Sequence, residues 1–193
     1  HPGDIFILND PFDGGMHLPD IFIVQPIFVG ENRVAFAVAT AHHLDVGGRL
    51  PGSSACDNVE IFQDGLRIPW LKLYDRGEPS EALFTLMRAN VRIPEMMLGD
   101  LQAELAACHV GQQAILEIIE RYGIDTFQQC TQDLLDYTEQ LVRADISTWP
   151  DGSSTFTDYL DTTGAPDSTG PVKITCTITV QGDALTADFT GSD

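Results

Sequence analysis

The sequence predicts a mixed α+β chain: a β-rich segment over residues 1–77, a layer of three helices over 78–148, and further antiparallel strands over 149–193. Three observations predict it. Apolar residues come in short blocks bounded by Gly, Pro and Asn as far as Asp75, they recur at steps of three and four from Glu81 to Ala144, and they alternate again after Trp149-Pro150-Asp151-Gly152.

The first block, residues 5–8, reads as a strand that delivers Asn9 and Asp10 to a turn containing Gly14 and Gly15. Residues 21–29, interrupted by Pro26, and 33–41 read as a hairpin about Gly30-Glu31-Asn32. Residues 59–62 and 66–73 read as strands on either side of Asp64-Gly65, followed by a connector at 75–79. Ser80 is an apt N-cap for a helix over 81–90, and Pro94 opens a second that carries Leu101, Leu105, Cys108, Ile115 and Ile119 until Tyr122-Gly123 closes it. A third helix aligns Phe127, Cys130, Leu134, Tyr137, Leu141 and Ala144 in one stripe, the pattern of a core face or a helix-pair interface. Residues 155–160, 172–180 and 184–189 then alternate as strands, the last two joined by Gln181-Gly182-Asp183.

The chemistry concentrates in two glycine-containing motifs, Asp10-Pro11-Phe12-Asp13-Gly14-Gly15-Met16-His17-Leu18-Pro19-Asp20 and His42-His43-Leu44-Asp45-Val46-Gly47-Gly48. In an antiparallel hairpin the start of one strand faces the end of the other, so Asp20 and His42 become neighbours at its open end. His17, on the preceding turn, reaches the same point. Imidazole and carboxylate groups converging from separate segments are what a divalent transition metal requires. Against this stands a bland account: a lone histidine is commonly a hydrogen-bonded core residue, and Asn-Asp-Pro and Asp-Gly-Gly are ordinary turn chemistry. Asp10 and Asp13 fit either metal binding or turn capping. His109, on the helical stretch, reads as structural.

Composition narrows the function classes. With 10 Lys+Arg against 29 Asp+Glu, the formal net charge of −19 repels nucleic-acid phosphates and anionic membrane surfaces. No apolar run is long enough for a membrane span, and no targeting signal stands out. Cys56, Cys108, Cys130 and Cys176 are widely spaced and form no C-x-x-C pair, which fits a reduced, cytoplasmic setting. Cys56, in a Gly/Ser-rich stretch, has no base beside it and reads as a plain thiol rather than a nucleophile. The loop over residues 47–54 lacks the Gly-Lys-[Ser/Thr] ending of a phosphate-binding loop, and either lids the site or connects.

Several ordered blocks resemble the hydantoinase B/oxoprolinase family. They are Asp4-Ile5-Phe6-Ile7-Leu8-Asn9-Asp10-Pro11, Gly14-Gly15-Met16-His17-Leu18-Pro19-Asp20, Ala41-His42-His43-Leu44-Asp45-Val46-Gly47-Gly48 and Glu60-Ile61-Phe62-Gln63-Asp64-Gly65-Leu66-Arg67-Ile68-Pro69, then Asn90-Val91-Arg92-Ile93-Pro94, Gly99-Asp100-Leu101-Gln102-Ala103 and Ala187-Asp188-Phe189-Thr190-Gly191-Ser192. Met16 stands where Thr is usual in that family and Asp64 where Glu is usual. Family members are longer, so the chain is expected to be an internal stretch of a larger polypeptide.

The resemblance implies the metal-binding part of the B subunit of an ATP-dependent cyclic-amide hydrolase, in which a metal-activated water opens a phosphorylated lactam ring. The metal ligands it implies are His17, Asp20 and His42, with a further carboxylate upstream of His1. His43 and Asp45 are then candidates for orienting a ligand or transferring a proton. The implied cofactors are zinc, manganese or iron in this subunit and ATP in a hydantoinase A-like ATPase partner, giving a hetero-oligomer that acts on a small cyclic amide or ketone. Acetone and acetophenone carboxylases are relatives, so a carboxylase subunit is the alternative enzyme. Two non-catalytic alternatives are a structural calcium site in the acidic loop, disfavoured by the imidazoles, and an interaction module built on the helices.

Overall fold

The computed structural model describes residues 1–53, 55–164 and 170–193, and its elements make the chain α+β. Ser54, the end of the glycine loop predicted over residues 47–54, lies outside the described residues. The chain divides into two compact units, His1–Ile118 and Ile119–Asp193.

In the first unit, β1 (Ile5–Leu8), β2 (Asp20–Val29), β3 (Asn32–His42), β4 (Leu71–Asp75) and β5 (Glu78–Pro79) form one antiparallel sheet in the order β3-β2-β1-β4-β5. Short alternating apolar strands leave one sheet face to bury, and α1 (Glu81–Asn90) and α2 (Pro94–Tyr122) supply its partners. Ile7, Ile21, Ile23 and Leu73 pack with Met87, Met97, Leu101 and Cys108, all nearly inaccessible to solvent. The opposite face is also apolar, with Phe36 and Val38 of β3 and nearby Trp70 half or more exposed. Pro26 does not end β2 as a strand. β1 accompanies β2 only over Phe22, Ile23 and Val24, so Pro26 lies where one flank of β2 needs no ladder hydrogen bond.

The stretch between the hairpin and α1 differs from expectation. Residues 59–62 form no strand. A short 3-10 turn, Ile61–Gln63, stands there, closed by Asp64 N–H donating to Ile61 O at 3.0 Å. Residues 66–70 lie outside the sheet, held instead by Asn9 and Val46, and pairing begins only at Leu71. The predicted connector contains β5, because Gly77 and Arg76 at positive φ fold Glu78 back onto Asp75. Ser80 starts α1 through its carbonyl, which accepts from Leu83 and Phe84, and not through a side-chain cap.

In the second unit α3 (Ile124–Ile146) precedes a three-stranded antiparallel sheet of β6 (Gly152–Leu160), β7 (Val172–Gln181) and β8 (Ala184–Asp188). The α3 stripe is not a buried core face: Leu134, Tyr137 and Leu141 are each more than half exposed. β6 starts three residues before its predicted edge, because hydroxyl pairs extend the ladder: Ser153 with Thr179 at 2.7 Å, Thr155 with Thr177 at 2.9 Å and Thr157 with Thr175 at 3.0 Å. No helix among the described residues is long and apolar enough to cross a membrane.

The sheet-to-helix core carries the first unit's stability. Leu101→Ala, at a fully buried position of α2, is expected to cost about 2–5 kcal/mol. Leu134→Ala on exposed α3 should stay within about 0.5 kcal/mol, and urea melts of the two variants check the contrast.

Candidate metal centre

The β2–β3 ladder ends with Asp20 directly opposite His42, which places both side chains on one face of the sheet at the hairpin's open end. His42 Nδ1 lies 2.6 Å from Asp20 Oδ1. The preceding turn closes where Asp20 N–H donates to His17 O at 3.0 Å, and this sets His17 Nδ1 3.4 Å from the other carboxylate oxygen, Oδ2. The two imidazoles stand edge to face, centroids 6.1 Å apart at 90°. One potential ligand atom from each of His17, Asp20 and His42 falls within 4.8 Å of the others. Two imidazole nitrogens and a carboxylate oxygen at that spacing fit a divalent transition metal better than calcium. Asp20 is 16% exposed while the imidazoles exceed 60%, so the group is anchored at its carboxylate and open on its histidine side.

It opens into a cleft of about 320 Å³, lined besides the two histidines by Pro11, Met16, Pro19, Ser53, Ala55 and Asp64. Met16 and Asp64, the positions that depart from the usual residues of the resembling family, both stand on this cleft.

Asn9 builds the turn that carries His17. Its Nδ2 donates to Leu18 O at 2.7 Å and Leu66 O at 2.8 Å, and its Oδ1 accepts from Ile68 N–H at 2.6 Å. Gly15 lets the turn pass this close, since a Cβ there would meet Asn9 O at 2.7 Å. Asp10 is buried and committed elsewhere: Oδ1 accepts from Phe12 N–H at 3.0 Å and Oδ2 from Arg67 Nε at 2.6 Å. Asp13 is exposed in the 3-10 turn Pro11–Asp13. Neither aspartate belongs to the convergent group.

His43, one residue beyond His42, turns into the protein. Its ring is fully buried with Nε2 3.0 Å from Glu104 Oε2 on α2, while its backbone N–H donates to Pro19 O at 2.8 Å. Among the described residues His43 Nδ1 and Glu104 Oε1 are buried without a hydrogen-bond partner, the Asp100 Oδ2 carboxylate oxygen standing 4.0 Å from His43 Nδ1. Burial pushes the Glu104 carboxyl above the usual range, against the pull of the His43 hydrogen bond. Asp45 faces the glycine loop, where it accepts from Arg92 N–H at 3.0 Å, Arg92 Nη1 at 2.7 Å, and the Gly47 and Gly52 amides at 3.3 Å. Burial alone would raise the Asp45 pKa, but these donors, Arg92 foremost, hold it below the usual carboxylate range. His109 and Cys56 are exposed, and neither belongs to the group.

The motif reading did not single out Glu104 or Arg92. Glu104 carried a signal, an acid inside the apolar stripe of Leu101, Leu105 and Cys108, where an unpaired carboxylate would be costly. Arg92 stands in the block Asn90-Val91-Arg92-Ile93-Pro94, which attached no role to it.

Comparison with known proteins adds to this geometry. The profile of the family described as "Hydantoinase B/oxoprolinase" matches residues 1–193. The B component of a provisionally named D-/L-hydantoinase from Pseudomonas sp. (strain NS671) is 38% identical over 98% of this chain and 33% of its own length. The crystal structure of an ATP-dependent caprolactamase from Pseudomonas jessenii superposes with a TM-score of 0.90 at 33% identity, over 97% of this chain and 32% of that one. Nucleotide-free acetone carboxylase superposes with a TM-score of 0.91 over the whole chain and 27% of that one, at 23% identity, a likeness of fold. The chain thus spans about a third of the length of such relatives.

Because Asp45 has a lowered pKa when folded, its contribution to stability is complete above the unfolded value of about 3.9 and is lost as pH falls through the folded value. Asp45→Asn should therefore cost about 1–3 kcal/mol at pH 7. Its deficit against wild type should narrow below about pH 4, measured by urea melts across pH.

Proposed function

The chain belongs to the hydantoinase B/oxoprolinase family, and from that premise we propose that it forms the metal-binding part of a subunit that opens cyclic amides in an ATP-dependent enzyme. The observation that supports this most directly is the convergence of His17, Asp20 and His42 at the mouth of a cleft. The caprolactamase and hydantoinase names of its relatives favour a ring amide as substrate. Acetone carboxylase, at 23% identity, speaks for the fold alone.

In this reading His17, Asp20 and His42 hold a zinc, manganese or iron ion. Bound there, such an ion supplies Lewis acidity, which polarises a carbonyl oxygen and lowers the pKa of water. An unactivated lactam is a poor electrophile, so an ATPase partner subunit or domain phosphorylates the amide oxygen before ring opening. The chain's own residues organise the site. Asp20 fixes the His42 imidazole through Oδ1 and turns Oδ2 toward His17. His43 ties the end of β3 to the His17 turn through Pro19 and to α2 through Glu104. Pro11, Met16 and Pro19 give the ring an apolar surround beside the histidines.

Elemental analysis of the full-length subunit, after dialysis against metal-free buffer, tests the proposal. Wild type should retain near-stoichiometric transition metal, and His17→Ala and His42→Ala should each lose most of it with unchanged circular dichroism. Metal content equal in all three would contradict the site and favour an interaction module without chemistry.

A further inference from the structure

The cleft has two walls of different origin. His42 is set by strand register and His17 by the turn just before β2, whereas Ser53 comes from the glycine loop after β3 and Asp64 from the turn that loop touches. The second wall has no place in the sheet, so something else must hold it.

One side chain does most of this. Arg92, in the connector between α1 and α2, donates through Nη1 to Asp45 Oδ1 at 2.7 Å, Gly47 O at 3.1 Å and Leu50 O at 3.3 Å, and through Nη2 to Gly48 O at 2.7 Å. Its backbone N–H adds the bond to Asp45 Oδ2 at 3.0 Å. A planar guanidinium offers five N–H donors in a fixed fork to a carboxylate and several carbonyls, against the three rotatable donors of an ammonium.

The loop so gripped is tight and strained. Gly47 has φ +92° and passes so close to the connector that a Cβ would meet Asn90 O at 2.5 Å. Ser53 has φ 51°, costly for a residue with a side chain, and is locked there by donating to Gly47 O at 2.8 Å and accepting from Val46 N–H at 2.9 Å. The same loop holds the Asp64 turn: Arg49 N–H donates to Gln63 O and Leu66 N–H to Val46 O, both at 2.8 Å.

We propose that Arg92 is the positioning residue for the substrate wall of the cleft, setting the placement of Ser53 and Asp64 without touching the metal ligands. The proposal rests on the cyclic-amide reading above for its substrate, but not for its geometry. Arg92 governs how well a small ring is held opposite the histidines. The strand register governs whether the ion is held at all. Losing Arg92 therefore separates the two.

The test uses the full-length subunit assembled with its ATPase partner, comparing wild type, Arg92→Lys and Arg92→Gln with hydantoin, 5-oxoproline and caprolactam as probes. Both variants should keep wild-type metal content. KM for any probe turned over should rise about tenfold in Arg92→Gln, with kcat changed less, and Arg92→Lys should recover only part of the loss. Amide hydrogen exchange across residues 47–53, which needs no substrate, should speed up in Arg92→Gln while that of β2 and β3 stays at the wild-type rate. Unchanged loop exchange, unchanged KM, or metal lost in step with KM would each overturn the assignment. If wild type holds metal yet opens none of the three rings, the cyclic-amide reading fails, and the exchange comparison still decides the role of Arg92.

Discussion

The pairing of Asp20 with His42 is the constraint on which the rest of the molecule depends. Side chains alternate along a strand, so sliding β3 by one residue against β2 would send His42 into the core and bring His43 to the surface. Each histidine suits its own side. His42 meets a carboxylate that also faces His17, and His43 enters a sealed space where Glu104 of α2 is its partner. The apolar alternation of β2, with Ile21 and Ile23 buried, fixes the register that the site uses. Core packing and site geometry are thus one specification.

Scarce cations hold the loops to that frame. The chain has 10 Lys+Arg, and three of them meet buried carboxylates: Lys72 with Asp4 at 3.0 Å, Arg67 with Asp10 at 2.6 Å and Arg92 with Asp45 at 2.7 Å. Removing one partner of such a pair leaves a charge in a poor solvent, so each joins separate segments firmly. Asp4 joins the start of β1 to β4, Asp10 joins the turn before His17 to the extended stretch at Arg67, and Asp45 joins the glycine loop to the helical connector. Asp10 and Asp45, which could pass for site residues by their place in the motifs, are therefore anchors. Asp20, half-sheltered between two imidazoles, is differently placed.

Much of this was legible in the residues, for definite reasons. The hairpin could be read because its turn and apolar blocks agree, and with it came the meeting of Asp20, His42 and His17. The helices could be read from their period and from Pro94 and Gly123 at their ends. The stretch from Val59 to Trp70 could not, because its apolar residues are held by Asn9 and Val46 rather than by neighbouring strands, and hydrogen bonds over 57 or 59 residues leave no local pattern. The exposed stripe of α3 shows the converse limit, since periodicity marks an apolar face without naming what covers it. The role of Arg92 was not legible for a similar reason: its partners lie more than 40 residues away in the chain.

Strand register, with the turn that precedes β2, brings two imidazoles and one carboxylate together as the proposed metal site. X-ray absorption at the metal edge of the full-length subunit tests it most directly. A first shell of mixed nitrogen and oxygen at about 2.0–2.2 Å for zinc, with the outer scattering of two imidazole rings, is the expected result. A shell of oxygens without imidazole scattering would contradict it.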